Sequence, residues 1–205
     1  MLTAFGPFVS DLYLPNFPSM VSYFHTDIAV IQLGLTFSMI GLAVGQLIFG
    51  PLSDRDGRKK PLTYAMAIFI ATTIMCVFAS NVTIFNVLRL LQGIAGAGGI
   101  VISRSIATDA FNGRELLKML AVIGAINGIA PVCAPVAGGA ILAATDWRGI
   151  FVILTFIGIV LLAGSFYFKE SLPTDKRTDK SLIATFKLFI PVCKNSRLML
   201  YVMQQ

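Results

Sequence analysis

Three ionisable side chains, Asp11, Arg89 and Arg104, lie inside long apolar stretches of the sequence. A charge in hydrocarbon costs about 3 kcal/mol on insertion scales, so such groups pair, face water or move protons. Burial favours a neutral carboxyl, whereas a nearby guanidinium favours the carboxylate. Asp11 facing Arg89 would feel both, and a change of conformation would switch its proton. Gln92 follows Arg89 at i+3, on the same helical face, where its amide can join the pair. At 1.5 Å per residue, Asp11 lies roughly 10–15 Å and Arg89 roughly 9 Å below one membrane surface, a common level. Two readings stand: a proton-coupling site, or an ion pair that only ties two helices together. Arg104 lies near the end of its stretch and can instead snorkel to the surface. The chain shows no nucleophile–base pair, and its GAGGIV run at 96–101 lacks a GxGxxG match. Cys76, Cys133, Cys193 and the single His25 have no metal-ligand spacing. Catalytic residues, a metal and a cofactor are therefore not expected; the coupling ion would be a proton.

A second cluster lies in GPLSDRDGRKKPL, residues 50–62. Gly57 permits a tight turn. Arg55, Arg58, Lys59 and Lys60 can meet anionic headgroups, which alone would hold topology. Asp54, at the end of an apolar stretch, needs a cation close by. Asp109 ends a later stretch on the same side. Arg58 between Asp54 and Asp109 would satisfy all three, a latch at one membrane face.

The elements that carry these groups follow from composition. The chain has 205 residues, 56% hydrophobic and 13% charged, against about 25% charged for a soluble domain. Apolar stretches fall at roughly 2–22, 29–49, 61–80, 83–108, 117–143 and 148–168, each near the ~20 residues a spanning helix needs. Lipid forces helices, because it cannot satisfy exposed backbone groups. Lys and Arg crowd the loops after the second, fourth and sixth stretches, which places those loops and both ends of the unit in the cytoplasm. The net charge of +6 therefore reads as topology, and no nucleic-acid partner is expected. Pro7, Pro15 and Pro18, the Gly93–Gly99 run, and Pro131, Pro135, Gly138 and Gly139 interrupt three stretches. Their arrangement suggests two inverted three-helix units. Residues 169–195 read as a connector with an amphipathic piece at 182–190, and 196–205 as the start of a seventh span.

The spacing at Gly50, Leu52, Asp54, Arg55, Gly57, Arg58, Lys59 and Leu62 resembles the signature of the major facilitator superfamily, G-x-L-x-D-R-x-G-R-[KR]-x-x-[LI]. RLLQG at Arg89–Gly93 resembles the family's R-x-x-Q-G motif, which implies proton coupling. SDLYLP at 10–15 resembles the D-x-Y-L-P segment of bicyclomycin-type multidrug:proton antiporters. PVCAPVAGG at 131–139 resembles the antiporter motif, with Ala130 and Ala134 in place of glycines. The resemblance implies an all-α bundle of six transmembrane helices (1–168), the N-terminal half of a twelve-helix fold in a bacterial cytoplasmic membrane. It implies a latch that stabilises the outward-facing state. A second six-helix half, membrane lipids and a small-molecule substrate are the implied partners, in a full-length monomer.

The expected activity is proton-coupled export of small amphipathic drugs. Tyr13, Phe37, Met39, Met66 and Asn127 are the candidate cavity residues, since adaptable apolar walls suit such solutes. The alternatives are a proton-coupled sugar or metabolite importer on the same fold, and a non-transporting fragment or partner subunit.

Overall fold

The computed structural model describes residues 5–173, 175 and 177, apart from the side chains of Phe5 and Pro7. The elements are α1 (Phe5–Asp11), a 3₁₀ turn (Leu14–Asn16), α2 (Phe17–Phe24), α3 (Ile28–Asp56), α4 (Lys59–Val77), α5 (Val82–Ala110), α6 (Gly113–Ala144) and α7 (Trp147–Tyr167). Helices α3 to α7 are long and apolar enough to cross a membrane. Among the described residues there are no strands. The connector piece at 182–190 and the expected seventh span lie outside the described residues.

The first span is not one helix. It breaks after Asp11, passes through the 3₁₀ turn and resumes as α2, with a proline in the first positions of each new piece (Pro15, Pro18). Proline fits a helix start because its missing N–H would be unpaired there anyway. Pro131 and Pro135 behave differently: α6 runs through both without interruption. The glycines of α5 do not break it either. Helix α3 continues through Pro51 to Asp56, so the expected turn at 50–60 shrinks to Gly57 and Arg58. At 29 residues, α3 is about 44 Å long. The ~30 Å hydrocarbon core leaves its last turns, with Asp54 and Arg55, outside.

Helix α5 is central: 61% of its apolar stretch is buried, against 17% for α6. Glycines on both helices let α3 approach α5 backbone to backbone. Gly41 faces the Leu90 carbonyl, Gly45 the Ile94 carbonyl, and Gly93 the Ser38 carbonyl, where a Cβ would overlap. Small residues at such crossings replace the hydrophobic drive that lipid removes. Phe69, Met66 and Leu62 of α4 and Phe151 and Leu154 of α7 fill the opposite side. Gly138 of α6 faces the Leu12 carbonyl in the break of the first span.

One end of the bundle is sealed by aromatics. Trp147 packs on Tyr23, Phe24, Phe85 and Phe151. The Arg148 guanidinium lies over Tyr23 at 4.4 Å and Trp147 at 4.7 Å, and its Nε donates to the Val77 carbonyl at 3.0 Å. Asn81 and Asp146 cap α5 and α7 here, accepting from the amides of Thr83 and Arg148. Amphipathic rings at helix ends suit the headgroup level.

Candidate functional site

Arg89 is fully buried in the first third of α5. Its Nη1 donates to Gln92 Oε1 at 2.5 Å and its Nη2 to the Val9 carbonyl at 3.0 Å. Its guanidinium lies over the Tyr13 ring at 4.3 Å and the Phe151 ring at 5.9 Å. Gln92 Nε2 donates to Thr73 Oγ1 at 2.7 Å, and Thr73 Oγ1 to the Phe69 carbonyl at 2.7 Å. The expected Arg89–Gln92 bond is thus present. The expected Asp11–Arg89 ion pair is not: neither residue belongs to an ion pair among the described residues. The break in the first span explains this. Val9 is four residues before Tyr13, which lies outside the helix, so its carbonyl is an end-of-helix acceptor. Arg89 takes that acceptor. The carboxylate two residues later points elsewhere.

Asp11 lines an open cleft of about 330 Å³, bordered by α1, α3, α5 and α6. Met39, Gln46, Arg104, Asn127 and Pro131 also line it. Met39 and Asn127 lie where the sequence suggests. Tyr13 and Met66 do not: they are 1% and 0% exposed, Tyr13 under the Arg89 guanidinium and Met66 in the core between helices. Phe37 is half-buried and outside the lining. Arg104 opens on the cavity rather than simply reaching for the membrane surface. Of the antiporter-like residues, Pro131 meets the cavity and Gly138 meets Leu12, while Gly139 faces open space. Pro135 is half-buried within α6.

At the opposite end from Trp147, Arg58 is buried among acids. Its Nε donates to Asp109 Oδ2 at 2.8 Å and its Nη2 to Asp109 Oδ1 at 3.3 Å. Its Nη1 donates to Asp54 Oδ1 at 2.5 Å and to Ser53 Oγ at 2.9 Å. Side-chain exposure is 7% for Arg58 and 15% for Asp109 but 55% for Asp54, so Asp109 is the desolvated partner. Arg55 does not join: it pairs with Asp56 at 3.1 Å on the surface. Gly50 has only the Val101 side chain near it.

Sequence reasoning missed the other acid of this cluster. Glu170, just past α7, accepts from the amides of Arg58 (2.8 Å) and Lys59 (3.2 Å). Burial alone would raise its carboxyl, but the amides of Arg58, Leu172 and Lys59 and the Arg177 guanidinium outweigh that and hold it below the usual carboxylate range. Ser171 Oγ donates to Asp109 Oδ2 at 3.2 Å, and Lys59 Nζ donates to the Phe166 carbonyl at 2.8 Å. Gly57 has φ +89°, and a Cβ there would run into the Glu170 carboxylate. A signal was present. Helix α4 opens on Lys59, Lys60 and Pro61 with no side-chain cap of its own, and a positive helix start needs an acceptor from elsewhere.

The model of the Major Facilitator Superfamily matches residues 1–203. The MFS-type transporter YdgK of Bacillus subtilis is 38% identical over 99% of this chain and 51% of its own length. The bicyclomycin resistance protein homolog of Haemophilus influenzae is 30% identical over 82% of this chain and 42% of its own. Multidrug resistance protein MdtL of Escherichia coli O157:H7 is 31% identical over 83% and 44%. The chain thus spans about half the length of the curated relatives it matches. Two solved structures share the fold: a D-xylose–proton symporter (TM-score 0.66, 15% identity, 98% of this chain and 54% of that one) and the human organic anion transporter MFSD10 (TM-score 0.64, 16% identity, 87% and 49%).

Proposed function

The chain belongs to the major facilitator superfamily, and from that premise we propose that the full-length protein exports small amphipathic compounds across the bacterial cytoplasmic membrane, driven by inward proton movement. The relatives named for bicyclomycin and multidrug resistance support the direction and the kind of cargo. Catalytic chemistry has no place in this reading; the protein is a multi-pass transporter. The observation that carries the proposal is the carboxyl of Asp11 on the cavity wall, without an ion pair among the described residues, at a helix break whose Val9 carbonyl is gripped by Arg89.

The mechanism runs through that short link. Charged Asp11 attracts cationic groups of a solute in the cavity. Proton uptake from outside removes that attraction and releases cargo. It also changes the last turn of α1, and the Val9 carbonyl transmits the change to Arg89, Gln92 and Thr73. Each element of charge entering the cell gains about 2.3 kcal/mol per 100 mV, which can offset uphill export. The exposed apolar face of α6 (Val122, Ile129, Val132, Val136) would meet the second six-helix bundle. Helix pairs rocking about that seam would alternate access. The Arg58 cluster, at the cytoplasmic end, would latch the outward-facing arrangement.

The test is efflux of the fluorescent drug norfloxacin by cells expressing the full-length protein, with and without an uncoupler, for wild type and Asp11→Asn. Coupled efflux should vanish in the variant while membrane expression holds. Uncoupler-insensitive drug accumulation, or normal efflux by Asp11→Asn, would refute the proposal.

A further inference from the structure

The charged groups of the bundle divide into engaged and free. Arg58, Asp54 and Asp109 are engaged with one another. Arg89 is engaged with neutral acceptors and two rings. Arg148 is engaged with Asp146, a carbonyl and two rings. Asp11 and Arg104 are different. Neither has an ion pair or hydrogen bond to another described residue, they carry opposite charges, and both line the same cavity.

Their positions keep them from neutralising each other. Gly6 packs on Ile100, and α1 and α5 run in opposite directions. From that contact Asp11 lies five residues toward the Trp147 end and Arg104 four residues toward the Arg58 end. At 1.5 Å per residue their backbones differ in height by roughly 13 Å. Among the described residues the two form no ion pair. Between them the wall is apolar, with Met39, Leu42 and Ile100, and edged by Gln46 and Asn127.

We propose that this cavity selects amphoteric solutes, molecules with a cationic group at one end and an anionic group at the other. The inference rests on the transport reading above and names its substrate class. Asp11 receives the cationic end. Arg104 receives a carboxylate or similar anion through its planar fork of donors. The apolar wall covers the middle of the molecule. Selection has a repulsive side as well. A solute with only a positive charge meets an uncompensated guanidinium, and one with only a negative charge meets an uncompensated carboxylate.

One scaffold in three charge states tests this. Ciprofloxacin carries a piperazinium and a carboxylate at opposite ends; its methyl ester keeps only the cation, and its N-acetyl derivative only the anion. Binding of each is measured on detergent-solubilised full-length protein, wild type, Arg104→Gln and Arg104→Lys. Wild type should hold ciprofloxacin about tenfold tighter than either derivative, the effect of one charge-assisted hydrogen bond. Arg104→Gln should erase the margin over the ester, and Arg104→Lys should restore part of it. Equal binding of ciprofloxacin and its ester by wild type, absent binding of ciprofloxacin, or an unchanged margin in Arg104→Gln would overturn the inference. Export is scored separately. Charge-selective binding without proton-driven efflux would sink the transport reading and keep the amphoteric site. Efflux of norfloxacin without charge-selective binding would do the reverse.

Discussion

Arg58 and Arg89 are both buried and both held on several sides, but by opposite kinds of partner. Arg58 meets two carboxylates, one of them through a two-point fork. Arg89 meets a carbonyl, an amide oxygen and two ring faces. The first arrangement is closed: the cation is fully matched by carboxylates, and removing it leaves Asp109 stranded. The second is open: dipoles and quadrupoles hold the cation without neutralising it. Such a cation stays sensitive to any charge that appears or disappears nearby. The pairing that ties elements together thus stands at the bundle's end, and the responsive charge stands inside the bundle, toward the Trp147 end.

The sharpest way to break this contrast is to delete each cation. Arg58→Leu should destabilise the full-length protein by about 3 kcal/mol, because Asp109 is left desolvated and unpaired. Arg89→Leu should cost less, since the groups it leaves behind are neutral, yet should abolish coupled efflux. Thermal melts of the solubilised variants, alongside efflux, decide it; equal losses of stability would erase the distinction. The next effect is steric. Gly138→Ala pushes a methyl into the Leu12 carbonyl and should cost about 2 kcal/mol by overpacking, with efflux impaired because the break of the first span is displaced. A melt unchanged from wild type would mean that α6 and the break can part freely. Thr73→Val is milder. It orphans Gln92 Nε2 and should cost about 1 kcal/mol, with slower efflux rather than none.

The smallest effect concerns Glu170, whose surroundings are partly wet. Its folded carboxyl is more acidic than the unfolded one, so its stabilisation is complete above the unfolded value, about 4.3. It is lost as pH falls through the lower folded value. The melting gap between wild type and Glu170→Gln should be largest near neutrality and close in the acid range below about pH 4. A gap independent of pH would show that shape, not charge, holds the amides of Arg58 and Lys59.

The Arg58 cluster was largely legible in the sequence, because Asp54 and Arg58 are neighbours on one short stretch and Asp109 ends a span on the same side. Its reach to Glu170 was not, since the uncapped start of α4 asks for an acceptor but does not say that it comes from a residue 112 positions away. The fold class and the long helices followed from apolar length. Breaks did not follow from proline. Pro15 and Pro18 begin new pieces, while Pro131 and Pro135 stay within α6. A proline breaks a span only where other groups take up the freed carbonyls, and at the first span Arg89 is such a group. That dependence also defeats the Asp11–Arg89 pairing, because a shared depth does not say which acceptor a guanidinium chooses. Tyr13 was misplaced for the same reason, as its ring is the stacking floor for Arg89 rather than cavity wall.

Trp147 is the single tryptophan of this sequence, and its indole is 2% exposed among four other rings with a guanidinium above it. Its emission colour and quenching therefore form a built-in optical gauge of how tightly that end of the bundle is shut. Water entering between α2 and α7 would redden the light of this indole.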